Sequence, residues 1–570
     1  MKKIPWKWGD PSRHNTLDDF PALANFLKER WNILWENDFT IPAPINLPRY
    51  TEEKIAEIRA VFPSISPEKI DFSTAARLRV AVGKSYHDIL RIHTDDKLLV
   101  PDFVFCPSTR EELDYFVKKA SQNKIRLSPF GGGTNVVGAL TIQDRETLNC
   151  RVDLRNFNAL IELDETHMTA TFQSGILGPD LESALNEKGY TMGHFPQSFE
   201  YTTLGGWVAT RSAGQESSYY GKIEDMVERI SVVTPVGIIR TNPYTHDASG
   251  INLKTLFIGS EGTLGIIAEV TVKIHKTPEA TPWLIALFPD FKTGTDYLHT
   301  LSQSGAKPAI VRLSDACETQ LYATLSSTNS SGYFQGIKKR VQRYLLKRKN
   351  LDAPCILMMR FVQKKGEDPQ TQVRISKKLL AKHKGVILAK KVGIHWAENR
   401  FNMPYLRDPL VSNRVLIDTM ETLVKWKDVQ KIYDLLRERL ASSEEFGKEK
   451  GLFLAHISHL YTNAACMYFT LMTPMKKGSE IKQWKMIKKL VTDTIVENGG
   501  AVSHHHSVGL DHQKWYLKQC DPISLNILKN IKKTLDPNQI MNPGKLFSKA
   551  YKTPYSNKQI NPKQMSSGSH

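Results

Sequence analysis

The 570-residue chain is predicted to be α+β, with one part that wraps loops around a long anionic ligand and a second part that caps it. Three observations predict this. The stretch Pro129-Phe130-Gly131-Gly132-Gly133-Thr134-Asn135-Val136-Val137-Gly138 follows a short apolar run, Ile125-Arg126-Leu127-Ser128, that reads as a strand ending in a turn. Two more glycine- and hydroxyl-rich blocks follow within about 140 residues. After residue 280 the pattern becomes strand, helix and strand with antiparallel options, which suggests a separate α+β unit.

The glycine loop carries the chemistry of the first part. Three consecutive glycines remove every side chain, so the backbone can adopt φ > 0 and approach a ligand closely. Successive N–H groups in such a loop form a concavity for anions, and Thr134 and Asn135 add a hydroxyl and an amide. The pattern is not G-x-G-x-x-G, because the sixth position is Val136, and no Gly-Lys-Ser/Thr follows to make a P-loop. A pyrophosphate cradle is the functional reading; an ordinary glycine-rich turn would look the same.

Composition narrows the classes. Apolar residues make up 41%, ordinary for a globular chain. None of the six cysteines forms a C-x-x-C pair, so zinc and iron–sulfur clusters are not signalled and reduced thiols are expected. Met1 to Trp8 has no apolar secretory core, no run reaches membrane-span length, and Ser566-Ser567-Gly568-Ser569-His570 is not the Ser-Lys-Leu address. A cytoplasmic chain is the expectation. The net charge of +18 invites nucleic acid, anionic lipid or anionic small molecules, but no nucleic-acid motif is present, and a solvated basic surface gives the same balance.

Taken in order, residues 1–96 form a mostly helical region, with Ile55, Ile58 and Val61 at helical spacing. Residues 101–107 read as a strand between prolines. Ser108-Thr109-Arg110-Glu111-Glu112 starts a helix that turns Leu113, Phe116, Val117 and Ala120 inward. Strands are expected at 151–154, 159–163 and 168–172, and a helix from Gly178, with Pro179 early as helices tolerate. The second block runs Pro196-Gln197-Ser198-Phe199-Glu200-Tyr201-Thr202-Thr203-Leu204-Gly205-Gly206-Trp207-Val208-Ala209-Thr210-Arg211-Ser212-Ala213-Gly214, without a strong periodic pattern. The third is Gly259-Ser260-Glu261-Gly262-Thr263-Leu264-Gly265-Ile266-Ile267. One long ligand lying across several loops accounts for all three.

In the second part, 283–288 and 310–313 read as strands and 291–301 as a helix. Residues 337–350 carry Ile337, Val341, Tyr344 and Leu345 on one stripe among seven cations, which fits an interfacial amphipathic helix or a solvated basic one. Residues 404–409 set Arg407 beside Asp408 between prolines, as a surface ion pair also would. Residues 464–472 read as a strand with Met467, Phe469 and Leu471 on its apolar face and Cys466, Tyr468 and Thr470 on the other. His504-His505-His506 follows; adjacent strand residues would point to opposite faces and no carboxylate–cysteine set completes a metal site, so proton handling is favoured.

The three blocks resemble the FAD-binding domain of the vanillyl-alcohol oxidase superfamily. The His-His-His form, with Trp6-Lys7-Trp8-Gly9, residues 205–211, Ile223-Glu224-Asp225, Val311-Arg312-Leu313, Tyr405-Leu406-Arg407-Asp408 and 465–469, is similar to the alkyldihydroxyacetonephosphate synthases, the ether-lipid enzymes. The resemblance covers most of residues 1–545. It implies a two-part FAD-binding domain at 97–279, an α+β substrate cap at 280–490, a segment at 491–548 completing the site, and a polar tail at 549–570. It implies exchange of the acyl chain of acyl-dihydroxyacetone phosphate for a fatty alcohol, through a covalent flavin–substrate intermediate with no net redox.

Residue by residue, the resemblance implies Tyr468 as general acid/base, helped to ionise by nearby cations, and Arg407 as phosphate ligand. Arg312 would lie beside the flavin, and His504, His505 and His506 would serve proton transfer. FAD contacts are implied at Phe130, Gly131, Gly132, Gly133, Thr134, Asn135 and Val136; at Gln197, Ser198, Phe199, Glu200, Tyr201, Thr202 and Thr203; at Thr210, Arg211, Ser212 and Ala213; and at Glu261, Gly262, Thr263, Leu264, Gly265, Ile266 and Ile267. No metal is expected. A homodimer and a peripheral membrane contact through 337–350 are also expected. Two features depart from the pattern: no peroxisomal address is visible, and Asn542-Pro543-Gly544-Lys545 is closer to the 2-hydroxyacid dehydrogenases. An FAD-dependent dehydrogenase of a 2-hydroxy acid or alcohol is the alternative. A membrane-surface binding protein with a vestigial flavin site is a third reading, opposed by the intact loops.

Overall fold

The structure is a computed structural model. It describes residues 7–546 apart from 14–15, 32–38, 40–46, 48–49, 95–97, 144–145, 243, 245–246, 326–350, 352, 364–365, 367 and 448–449. The basic stretch 337–350 and the tail from 549 lie outside the described residues.

Two sheets make the first part. The smaller is ordered Ile70–Asp71, Phe103–Phe105, Asn149–Asp153, Arg126–Phe130. Its three longer strands are parallel, and Ile70–Asp71 joins antiparallel. Helix Arg110–Gln122 is the crossover from Phe103–Phe105 to the parallel strand Arg126–Phe130, and Asn149–Asp153 inserts between the two. Thr109 caps that helix by accepting the Glu112 N–H, and Leu113, Phe116, Val117 and Ala120 are buried beneath it, as their spacing predicts. The larger sheet is antiparallel, ordered Leu160–Asp164, Thr169–Gln173, Ile266–Lys273, Val227–Thr234, Gly237–Arg240.

The cap is a seven-stranded antiparallel sheet. Its order is Val386–Leu388, Trp283–Phe288, Cys355–Arg360, Ile310–Ser314, Leu452–Leu460, Ala464–Pro474, Val415–Lys425. Met467, Phe469 and Leu471 face its largest core, while Tyr468 and Thr470 face the other way, onto a cavity. The alternation read from sequence therefore holds along this strand.

Three local expectations change. The second block contains a helix, Leu204–Thr210, capped by the Thr203 hydroxyl. Leu204, Trp207 and Val208 recur at helical spacing on its buried face, a pattern hidden by the surrounding Gly and Thr. The histidine tract is turn rather than strand. The boundary expected at 490 falls inside helix Glu480–Glu497, whose Trp484, Ile487, Val491 and Ile495 pack in the cap core. The N-terminal region is also shared. Leu23 and Leu27 of helix Pro21–Trp31 pack with the cap residues Leu321, Leu410 and Leu454, whereas Ile70–Asp71 extends the smaller sheet.

Candidate active site

A cavity of about 440 Å³ runs between the two parts. On one side it is lined by Gly131, Gly132, Gly133, Thr134, Asn135 and Val136, by Gln197, Ser198, Thr202 and Thr203, by Thr210, Ser212 and Ala213, and by Glu261, Gly262, Gly265 and Ile267. All three blocks thus converge on one space. The glycines are there because nothing larger fits. A Cβ on Gly132 would lie 1.8 Å from the Tyr201 carbonyl oxygen, and one on Gly131 would lie 2.2 Å from Thr203 Oγ1. Gly133 has φ +68°, a left-handed conformation that L side chains rarely adopt. Asn135 turns its side-chain oxygen back on its own loop, accepting the N–H groups of Val137 at 3.1 Å and Ala139 at 2.8 Å. A long cavity walled by bare backbone fits a flavin dinucleotide.

The other residues implied in FAD contact sit behind this wall. The Phe130 ring lies under Gly133. Phe199, Leu264 and Ile266 belong to the cores, and the Thr263 hydroxyl donates to the Ser260 carbonyl at 2.7 Å. Glu200 pairs with Arg13 at 2.9 Å, the Tyr201 hydroxyl meets that of Tyr405 at 2.6 Å, and Arg211 turns outward to Glu224 at 3.0 Å. None of these eight side chains lines the cavity.

The cap side brings Arg312, Arg407, Tyr468, His505 and His506 to the same space. Strand pairing places His456 opposite Tyr468 on one side and Glu421 opposite it on the other. The Tyr468 ring stacks on His456 at 4.8 Å, and lies 6.0 Å from His505 and 5.5 Å from His506. Burial pushes the Tyr468 phenol well above its usual range. A hydrogen bond toward Thr419 and the Arg312 charge oppose this and do not win. The help from nearby cations that ionisation of Tyr468 requires is outweighed here by burial.

Arg312 is held from three sides. It donates to Glu318 Oε1 at 2.8 Å, to the Tyr322 hydroxyl at 2.8 Å and to His456 Nε2 at 3.1 Å. His456 Nδ1 lies 3.0 Å from the same Glu318 oxygen, which fixes a neutral ring with its proton on Nδ1. Burial opposes ionisation of Glu318, but Arg312 and His456 outweigh it and bring the carboxyl to about 2. Arg407 donates to Asp408 Oδ1 through Nε at 3.0 Å and Nη2 at 2.8 Å, and Asp408 Oδ2 accepts the Trp8 N–H at 2.7 Å. The Arg–Asp pair forms, but at the cavity wall, with 14% of each side chain exposed.

The histidine loop hangs on two buried carboxylates. Glu421 accepts the Ser503 hydroxyl at 2.6 Å and the backbone N–H groups of His504 at 2.5 Å, His505 at 3.2 Å and His506 at 2.9 Å. Glu261 accepts those of Val508 at 2.7 Å and Gly509 at 3.0 Å. Burial opposes ionisation of Glu421, yet the adjoining histidines and Ser503 hold its carboxyl well below the usual range. Burial in turn pushes the His505 imidazole down to about 3 and lowers His504 and His506. The negative charge sits on Glu421, where four donors solvate it, and the rings stay neutral. His504 lies behind the others: its Nε2 meets the Tyr461 hydroxyl at 2.7 Å and its Nδ1 meets His505 Nδ1 at 2.9 Å.

Glu421, Glu318 and His456 escaped the sequence reading. The first had a signal, a lone glutamate within the apolar strand Val415–Lys425. His456 had none: the turn after Leu460 would set Ile457 opposite Tyr468, and a bulge between Ile457 and His459 shifts the register so that His456 lies there instead. Glu421, Cys466, His504 and His505 bring metal-capable atoms within 4.8 Å of one another, although Glu421 there already accepts four hydrogen bonds.

Comparison with known proteins agrees with this geometry. Residues 101–242 match the "FAD binding domain" family model, and residues 277–546 match "FAD linked oxidases, C-terminal domain". The chain is 32% identical to the alkyldihydroxyacetonephosphate synthase of Dictyostelium discoideum over 92% of this chain and 88% of that protein. It is 31% identical to that of Trypanosoma brucei brucei over 86% and 80%. A solved alkyldihydroxyacetonephosphate synthase structure superposes with a TM-score of 0.77 at 30% identity, covering 92% of each chain. The chain therefore belongs to the alkyldihydroxyacetonephosphate synthase family and is an FAD-dependent enzyme of that type.

Proposed function

We propose that the protein exchanges the acyl chain of acyl-dihydroxyacetone phosphate for a long-chain fatty alcohol, yielding alkyl-dihydroxyacetone phosphate and a free carboxylate with no net redox. The observation that carries this reading is the two-sided character of the cavity. Tyr468, His505 and His506 lie together in it, Arg407 also lines it, and Leu23, Leu321, Leu410, Leu454 and Met472 pack with one another as its apolar part. An ester with a phosphate at one end and an alkyl chain at the other matches that division.

Bound FAD supplies an electrophilic ring at the carbon where the exchange occurs. The protein's residues handle binding and protons. Arg407, oriented by Asp408, offers a planar fork of donors to the phosphate. Arg312, fixed by Glu318, His456 and Tyr322, presents a cation that polarises the reacting region. Because Tyr468 is protonated and His505 and His506 are neutral, the imidazoles are the resting proton acceptors. A proton taken from the ester-bearing carbon passes through the Tyr468 hydroxyl to an imidazole and is returned to that carbon by the same route once the ether bond has formed; the incoming alcohol gives up its own proton, the one proton released overall. The leaving carboxylate needs no proton.

The test is product analysis after incubation with acyl-dihydroxyacetone phosphate and a long-chain alcohol. The ether product and free fatty acid are expected, with the flavin oxidised at the end and no external acceptor needed. Lasting flavin bleaching by a 2-hydroxy acid, with no ether formed, would replace this reading with the dehydrogenase.

A further inference from the structure

Two histidines of the tract line the cavity, and one of them continues into the protein. Among the described residues, His506 Nδ1 has no hydrogen-bond partner. His505 Nδ1 lies 2.9 Å from His504 Nδ1, and His504 Nε2 lies 2.7 Å from the Tyr461 hydroxyl. A file of hydrogen-bonded groups thus leads away from the cavity, and neither His504 nor Tyr461 lines it. Tyr461 opens the turn that follows strand Leu452–Leu460. Its N–H donates to the Ala464 carbonyl at 2.9 Å, and Thr462 and Asn463 on that turn are exposed.

The first part of the chain closes on this file. Lys222 donates to the His504 carbonyl at 2.9 Å and pairs with Glu224 at 3.1 Å. Among the described residues, Glu224 Oε2 accepts no hydrogen bond; the Glu224 side chain is 21% exposed, and Asp225 is exposed. Burial first, and then charges that include Glu224 and Asp225, keep the Tyr461 phenol protonated. Burial, then His459, His505 and Lys222, keep His504 neutral against the pull of Glu421. Each member is therefore neutral, with one proton in each contact. A proton crosses such a file by a concerted shift, each group giving one as it takes another, and no imidazolium has to form.

We propose that His505, His504 and Tyr461 are the relay by which the proton of the incoming alcohol leaves the site. In the receptive arrangement His505 Nδ1–H donates to His504 Nδ1, and His504 Nε2–H donates to the Tyr461 hydroxyl. A proton arriving on His505 Nε2 displaces each in turn, and the Tyr461 hydroxyl proton passes to solvent on the side of Glu224 and Asp225. The alcohol O–H bond breaks, its electron pair stays on the oxygen that bonds to carbon, and one proton emerges. No oxidant or reductant is required. A cavity filled by cofactor and long-chain substrate expels its water, so the proton needs a path through the protein. The inference deepens the ether-forming reading and rests on it.

The test compares the FAD-loaded parent with Tyr461→Phe, which removes one hydroxyl and keeps the ring. At low buffer concentration kcat should fall by about tenfold or more, with KM for both substrates and FAD content unchanged. Added imidazole, a small diffusible base, should restore part of that loss and leave the parent unaffected. In a single turnover followed with a pH-indicator dye, proton release should keep pace with ether formation in the parent and lag behind it in the variant. His504→Gln keeps a polar side chain that cannot pass a proton, so it should show the same lag and the same rescue, and it carries the test if Tyr461→Phe loses FAD. Parent-level kcat in both variants overturns the proposal. So does a loss without lag that imidazole does not restore, the result a purely structural role would give. The two readings fail separately: a parent that forms no ether sinks the proposed reaction, whereas a parent that forms it beside parent-like variants sinks the relay.

Discussion

The glycine loop and the histidine loop solve opposite problems with the same material. Gly132 lies against the backbone of Tyr201 and Thr202, Gly131 against the Thr203 side chain and Gly133 against the Phe130 ring, so closely that a methyl group has no room, which clears a wall for a cofactor. Residues 503–509 turn their N–H groups onto Glu421 and Glu261, carboxylates that the protein itself supplies. The first loop works by the absence of side chains. The second holds its side chains, His505 and His506, at the cavity because its backbone is anchored elsewhere. Removing space should therefore destroy the first, and removing charge should loosen the second.

Gly132→Ala is the sharpest test of the first half. The added Cβ would meet backbone on both the Tyr201 and Thr202 sides, so the protein should purify without FAD and without activity. Flavin content equal to the parent, read by absorbance after denaturation, would break the contrast.

Tyr468→Phe removes one hydroxyl from the side-chain half. Turnover should fall by about 10²–10⁴-fold with flavin content unchanged. Activity within a few-fold of the parent would make Tyr468 a packing residue between His456 and His505.

Arg407→Ala should raise KM for a phosphate-bearing substrate by roughly 10- to 100-fold, matching about 1.5–3 kcal/mol for a charge-assisted bond. A dephosphorylated analogue should lose far less. Equal losses on both would show that Arg407 does not read the phosphate.

Glu421→Gln exchanges one accepting oxygen for an NH₂ facing the histidine loop. An unpaired buried N–H costs about 1–3 kcal/mol, so a measurable drop in Tm is expected, with FAD retained because the glycine loop is untouched. An unchanged Tm would mean that the loop does not need its carboxylate.

The smallest expected effect is on pH dependence. An exposed histidine gains its proton as pH falls through about 6.5 and then no longer accepts one. Burial holds His505 down to about 3 and lowers His506, so these acceptors stay neutral as pH falls below 6.5. The acid limb of the kcat profile should accordingly lie well below pH 6.5. A limb centred near 6.5 would indicate a solvated imidazole as the working base.

How far the sequence could be read follows from the same contrast. The strand-to-glycine-loop transition, the helix capped by Thr109, and the alternation of Met467, Phe469 and Leu471 against Tyr468 are set by neighbours a few residues apart. So is the convergence of three blocks rich in small residues, since few other arrangements use so much bare backbone. The helix Leu204–Thr210 was legible in principle, through Thr203 and the spacing of Leu204, Trp207 and Val208, but glycine at 205 and 206 argues locally against a helix.

Tertiary structure decided the charges. Whether Tyr468 is ionised, which histidine faces the cavity, and where the negative charge of the histidine cluster rests depend on Glu421, Glu318 and His456. These come from one strand, Val415–Lys425, a helix, Ala316–Leu325, and a second strand, Leu452–Leu460. The sequence by itself determined which residues could carry this chemistry and which stretches had to stay bare. The fold determined their protonation, because burial and the distance to the nearest opposite charge exist only once segments more than a hundred residues apart, such as Glu318 and His456, are packed together.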